Sequence, residues 1–141
     1  MDVTARAKTI AELNDQLRKD PHWKITLQTF ASFIYENDHK WMITPEVSYL
    51  PQDQLEELIT KVREFDDFTP ENDPRSEHNF GKVTQDDVDY FWKINYYDLD
   101  FESCTVDPAD PAKTRRVLIL IKAAEYTHPI HPFFSRVGLA L

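Results

Sequence analysis

The chain has 141 residues, about one domain's worth, and is acidic: 25 Asp and Glu against 16 Lys and Arg give a formal net charge of −9. Two glycines, Gly81 and Gly138, and one cysteine, Cys104, exclude a glycine-rich phosphate loop, a dinucleotide fingerprint, an intrachain disulfide, a Cys-x-x-Cys pair and a multi-cysteine zinc site. The negative charge argues against free nucleic acid and anionic membrane as direct partners, and for basic proteins or cations.

In chain order, Thr9-Ile10-Ala11-Glu12 has capping-box spacing, and Ile10, Leu13 and Leu17 recur at helical intervals before Asp20-Pro21. This predicts a first helix over residues 9–19. Residues 24–35 are rich in β-branched and aromatic types, and Glu36-Asn37-Asp38-His39 reads as a turn into a second strand at about 40–49, hence a hairpin. After Pro51, the residues Leu55, Leu58, Ile59, Val62 and Phe65 form an apolar stripe that predicts a second helix over 51–66. Residues 66–78, with two prolines and several turn formers, are an irregular loop. Residues 79–84 and 88–97 read as a second hairpin, with Tyr90, Trp92, Ile94 and Tyr96 on one face of the latter strand and Phe91, Lys93, Asn95 and Tyr97 on the other. Asp110-Pro111 resembles a helix start, and Val117, Leu118, Ile121 and Ala124 supply a stripe for a third helix running to about Tyr126. The order α-β-β-α-β-β-α predicts a single α+β domain over residues 1–126, with helices packed on a mainly antiparallel sheet. Residues 127–141 form an apolar, proline-containing tail in which Phe133 and Phe134 are available for contacts with the domain or with another chain.

The charge is unevenly distributed. Residues 1–45 are neutral, residues 46–112 hold 18 acids and 5 bases, and residues 113–141 hold 1 acid and 5 bases. The acidic segment also carries Phe65, Phe68, Phe80, Tyr90, Phe91 and Trp92, too much apolar surface for a solvated tail. The first twenty residues are charged throughout with no apolar core, and no apolar run approaches membrane-spanning length, so the expected location is the cytoplasm.

The strings Phe65-Asp66-Asp67-Phe68, Asn72-Asp73-Pro74, Glu77-His78, Phe80-Gly81, Trp92-Lys93-Ile94-Asn95-Tyr96-Tyr97-Asp98 and Asp107-Pro108-Ala109-Asp110-Pro111 resemble a proteobacterial family catalogued as domain of unknown function 3768. The resemblance extends over about residues 11–126 and takes in Asn14-Asp15 and Leu17-Arg18. It implies no activity. Its members tend to occur on plasmids and other mobile elements, which implies a counter-defence role. Where the family usually has aspartate after Glu-His this chain has Asn79, and where it usually has glycine between threonine and valine this chain has Glu46.

Two functional readings follow. The first is an acidic interaction module that binds a basic protein, with Asp66, Asp67, Glu71, Asp73, Asp86, Asp87, Asp89, Asp98 and Asp100 facing the partner, as a nucleic-acid mimic would. It needs no cofactor. The second is a small metal-dependent hydrolase built on Asp66, Asp73, Glu77 and His78, with a divalent cation held by Asp73, Glu77, His78 and Asp98. Local bonding explains the same residue types without a ligand: Asn72 and Asp73 as Asx-turns before Pro74, Glu77 and His78 tied to the loop backbone. Cys104 sits between Glu102 and Asp107, whose charge opposes a nucleophilic thiolate. His128 and His131 lack a third ligand nearby.

The two readings differ geometrically. Mimicry expects acids splayed over a flat or convex face, whereas hydrolysis expects three or four converging with His78 in a cleft.

Overall fold

The computed structural model describes residues 2–20, 41–100 and 107–126, together with the backbone of 25–27. Helix α1 spans Val3–Lys19 and starts six residues earlier than the capping-box spacing suggests. Its cap is Asp2, whose carboxylate accepts the Ala5 N–H at 2.7 Å. Thr9 lies inside the helix and donates its hydroxyl back to the Ala5 carbonyl at 3.1 Å. The buried stripe of α1 is Ile10, Ala11, Asn14, Leu17 and Arg18, so two of its five members are polar.

Strands β1 (Ile25–Leu27) and β2 (Trp41–Ile43) are parallel, which overturns the first predicted hairpin. Parallel neighbours need a crossover and cannot be joined by a tight turn. The predicted turn at 36–39 lies outside the described residues. A single helical turn, α2 (Pro45–Ser48), leads into α3 (Gln52–Arg63), where the helical stripe predicts it. Leu58, Ile59 and Val62 are buried.

The second hairpin is present as β3 (Phe80–Gln85) and β4 (Val88–Tyr97). Its two-residue turn is Asp86-Asp87, both with positive φ (51° and 62°), the left-handed pair that matches the twist of antiparallel strands and that aspartate tolerates. The strand alternation also holds: Trp92 and Ile94 pack with the larger core cluster, Tyr97 with the smaller one.

The predicted third helix is instead strand β5 (Arg115–Lys122), followed by one helical turn, α4 (Ala123–Tyr126). Asp110 opens a turn, accepting the Ala112 N–H on its carboxylate at 2.9 Å and the Lys113 N–H on its carbonyl at 3.1 Å. β5 lies between β2, parallel, and β4, antiparallel. Val117 to Ile121 are all buried, as expected of a central strand covered on both faces, where an unbroken apolar run replaces alternation.

The sheet order is β1-β2-β5-β4-β3, and its two longer ladders are antiparallel. The result is an α+β domain. One face packs Trp41, Ile43, Trp92, Ile94, Leu118 and Leu120 against Leu17, Val47, Leu58 and Val62 of the helices. The other gathers Met42, Tyr97, Val117, Ile119 and Ile121, with Phe91 and Tyr126 against them. Among the described residues no helix is long and apolar enough to cross a membrane.

Gly81 stands opposite Trp92 in the β3–β4 ladder. A Cβ there would lie 2.7 Å from Trp92 Cε2 and 2.8 Å from Cζ2, and closer still to Nε1. The indole is fully buried and contacts Phe65 and Phe68 edge-on, so it has no room to retreat. Gly81→Ala is expected to destabilise by about 1–3 kcal/mol, the usual range for overpacking, measured by urea unfolding. An unchanged midpoint would show that the ring gives way freely.

Candidate functional site

The predicted loop between α3 and β3 is held mostly by its own side chains. Asn72 accepts the Thr69 N–H at 2.9 Å and donates to the Asp67 carbonyl at 2.8 Å. Asp73, 6% exposed, accepts the backbone N–H of Glu77 at 3.0 Å and of His78 at 3.3 Å. That carboxylate closes a turn in which Ser76 and His78 both take positive φ (57° and 55°). The left-handed conformation is uncommon for residues with a Cβ and is sustained here by the two bonds to Asp73.

His78 is fixed in three further ways. Its ring stacks on Phe68 at 4.0 Å between centroids and 3° between planes. Nδ1 lies 3.0 and 3.1 Å from the two Asp15 carboxylate oxygens. Nε2 stands 4.0 Å from Asp73. The imidazole is therefore bracketed by a carboxylate from α1 and a carboxylate from its own loop.

Asp15 belongs to a polar edge of α1 that also includes Asn14 and Arg18. Fully buried Arg18 donates one terminal nitrogen to the carbonyls of Val62, Arg63 and Phe65, at 3.0, 3.0 and 2.8 Å, and the other to Asp15 at 3.0 Å. The Val62 and Arg63 carbonyls end α3, where intrahelical donors run out, and that of Phe65 follows just beyond it. A cation there serves acceptors that the helix itself leaves short of donors, although Val62 also accepts the Phe65 N–H at 3.3 Å, and it complements the helix dipole. The guanidinium also lies 5.1 Å from the Trp92 ring and 5.5 Å from Phe68. Burial draws its pKa down, opposed by the Asp15 carboxylate.

Asn14 sits at a second junction. Its amide donates to the Glu77 carbonyl at 2.9 Å and the Tyr96 hydroxyl at 2.8 Å, and its oxygen accepts from Arg116 Nε at 2.9 Å. Tyr96 donates in turn to the Glu77 carboxylate at 3.0 Å. Burial, and then the charge of Glu77, push the Tyr96 hydroxyl pKa well up, so the phenol remains a donor. Burial likewise lowers the pKa of Arg116, which also donates to the Pro108 carbonyl.

This geometry separates the predicted site residues. Asp73 and His78 are neighbours, but Asp73 is engaged by the backbone and the Glu77 carboxylate turns to Tyr96. Asp66 is exposed beyond the end of α3, and Asp98 follows β4. Among the described residues no three His, Cys, Asp or Glu side chains gather so as to hold a metal ion. Of the predicted partner-facing acids, Asp66, Asp67, Glu71, Asp86, Asp87, Asp89 and Asp100 are exposed and Asp98 is half-buried. Asp73 is the correction: it is buried and spent on the loop, so it cannot face a partner. Phe133, Phe134, Cys104, His128 and His131 lie outside the described residues.

The outer stripe of α3 adds Asp53, Glu56 and Glu57, continued by its C-cap Glu64, all exposed. Lys61 reaches both the Thr84 carbonyl of β3, at 3.2 Å, and the Glu57 carboxylate, at 3.7 Å, and Arg63 lies over the Trp41 ring at 5.4 Å. Gln85 donates to the Gln54 carbonyl at 2.9 Å, so the turn holding Asp86 and Asp87 flanks the first turns of α3. The helical spacing of 53, 56, 57 and 64 was the available signal for these four.

The sequence model of a family described as a protein of unknown function (DUF3768) matches residues 43–125. The chain belongs to this family. The DUF3768 match contains the loop with Asp73, Glu77 and His78, all of α3, and the three-stranded antiparallel part of the sheet. It leaves out α1, so Asn14, Asp15 and Arg18, which tie that loop down, come from outside the matched region. Comparison with curated proteins and with solved structures returns no match.

Proposed function

We propose that this chain is a protein-interaction module that presents an acidic face to a basic, nucleic-acid-binding protein in the cytoplasm. The observation that carries the reading is the placement of the acids. Asp53, Glu56 and Glu57 line the outer stripe of α3, continued by its C-cap Glu64, with Asp66, Asp67 and Glu71 beyond its end and Asp86, Asp87 and Asp89 beside its start. They are splayed, not convergent. Such a row can meet phosphate-binding Lys and Arg side chains at several points at once. Inhibition of a defence protein carried against a mobile element is the specific form this role takes, and it rests on the family resemblance. Metal-dependent hydrolysis is the weaker reading, because Asp73 and Glu77 already have structural partners.

The test is capture of a partner from the native host, followed by salt titration of the purified complex and competition with double-stranded DNA. Binding should weaken steeply with salt, and DNA should displace the chain from its partner. Asp53→Lys/Glu57→Lys/Glu64→Lys should lower affinity roughly 100-fold, taking each lost charge pair as about 1 kcal/mol. A partner that is not basic, or affinity indifferent to salt, would sink the proposal.

A further inference from the structure

We infer that the groove between the first half of α1 and residues 74–78 is a binding site for a small organic anion, a carboxylate or phosphate group carried on an apolar body. The site is separate from the acidic stripe on α3 and does not depend on the role proposed for it. The groove has a volume of about 880 Å³, within the usual size range of ligand pockets. Ala7 and Ala11, one helical turn apart, face Pro74 across it. These short side chains leave an apolar trough between helix and loop.

Its charge is the second argument. Three carboxylates line the trough, Glu12, Asp15 and Glu77, and the two half-buried ones, Asp15 and Glu77, are each compensated from inside the protein. Asp15 is held by Arg18 and His78. Glu77 accepts from Tyr96 and lies in the field of half-buried Arg116. The exposed rim therefore sets the sign seen by a ligand. Lys8 on the helix and Arg75 on the loop are both exposed and line opposite walls. Neither makes an ion pair or hydrogen bond among the described residues. Arg6 joins them, loosely paired with Asp107 at 3.6 Å, and Glu12 is the one exposed acid of the lining. A chain of net charge −9 thus places three cations around one preformed trough, two of them without a partner. The arrangement suits an anionic head group bridged by Lys8 and Arg75, with its apolar body against Ala7, Ala11 and Pro74.

The wall opposite α1 is also unusually well fixed. Asp73 holds the 74–78 turn, and the Asp15–His78 contact closes it onto the helix. A preorganised wall reduces the ordering that binding would otherwise require.

The test is a two-dimensional NMR titration of the full chain with phenyl phosphate, with benzoate and with neutral benzamide. Saturable shifts of the Ala7, Ala11, Arg75 and His78 amides are expected with one or both anions, and none with benzamide. Lys8→Ala/Arg75→Ala should weaken anion binding roughly tenfold or more, since charged hydrogen bonds are lost. Both side chains are exposed and unpaired, so this variant should melt with the wild type, which separates lost binding from lost fold. The anion that saturates at the lower concentration identifies the head group. The site is refuted if neither anion saturates these signals, if benzamide binds equally well, or if the folded double variant binds the anions unchanged.

Discussion

Arg18→Ala is expected to lower stability by about 3–5 kcal/mol, through loss of a buried charge partner and creation of a cavity. The carbonyls of Val62, Arg63 and Phe65 lose their common donor, and Asp15 loses its arginine partner and keeps only the His78 ring. Each acceptor left dry is worth about 1–3 kcal/mol, though water entering the vacated space will recover part of that. For a domain of this length the melting temperature should fall by roughly 10–20 °C. Two further variants separate charge from packing. Arg18→Met keeps much of the aliphatic stem beside Phe68 and Trp92 but donates nothing, and should lie between wild type and Arg18→Ala. Arg18→Lys keeps the charge, yet one ammonium cannot reach three carbonyls and Asp15 with the planar fork that arginine offers, so rescue should be incomplete. A melting temperature for Arg18→Ala within a few degrees of wild type would show that α3 is terminated adequately without it.

The same residue shows which parts of the site were legible in the sequence. Asn72 and Asp73 were, because their chemistry is local, whereas the side chains of Glu77 and His78, expected on the loop backbone, turn instead to Tyr96 and Asp15. Asn72, Asp73 and the prolines make a turn from neighbours within a few positions, and the bonds from Asp73 to Glu77 and His78 belong to that class. The anchors were not legible, because their partners are distant in the chain. Arg18 reaches residues 62–65, Asn14 reaches Glu77, Tyr96 and Arg116, and Asp15 reaches His78. A trace did exist in α1. Asn14 and Arg18 occupy the positions of its apolar stripe that follow Ile10 by one and two turns, and a polar residue on a buried stripe has to find a partner inside. The residue types say that a network exists; only the fold says with whom.

Leu120→Asp is expected to abolish the folded state, and it discriminates directly between the two readings of residues 110–126. The helical reading placed Val117, Leu118, Ile121 and Ala124 on the inner stripe, with Ile119 and Leu120 outside it, and an aspartate outside the stripe costs little. In β5, Leu120 is fully buried, opposite Trp92 on one side and Ile43 on the other. A carboxylate there has no cation in register with it and would give up several kcal/mol or more of hydration. Against a total stability of about 5–15 kcal/mol for a native domain, with the lost leucine contacts added, that is enough to unfold it. Far-UV circular dichroism and loss of dispersed amide signals would register the result, and Leu120→Ala, at about 2–5 kcal/mol, sets the scale for packing alone. A folded Leu120→Asp protein would restore the helical reading. The ambiguity arises because five consecutive apolar residues, Val117 to Ile121, satisfy a buried strand and a buried helix alike. β-branching at Val117, Ile119 and Ile121 favoured the strand, while Asp110-Pro111 resembled a helix cap. The tertiary environment decides between them: β2 and β4 supply partners for both edges of this segment, and a strand in that position can bury side chains on both faces at once.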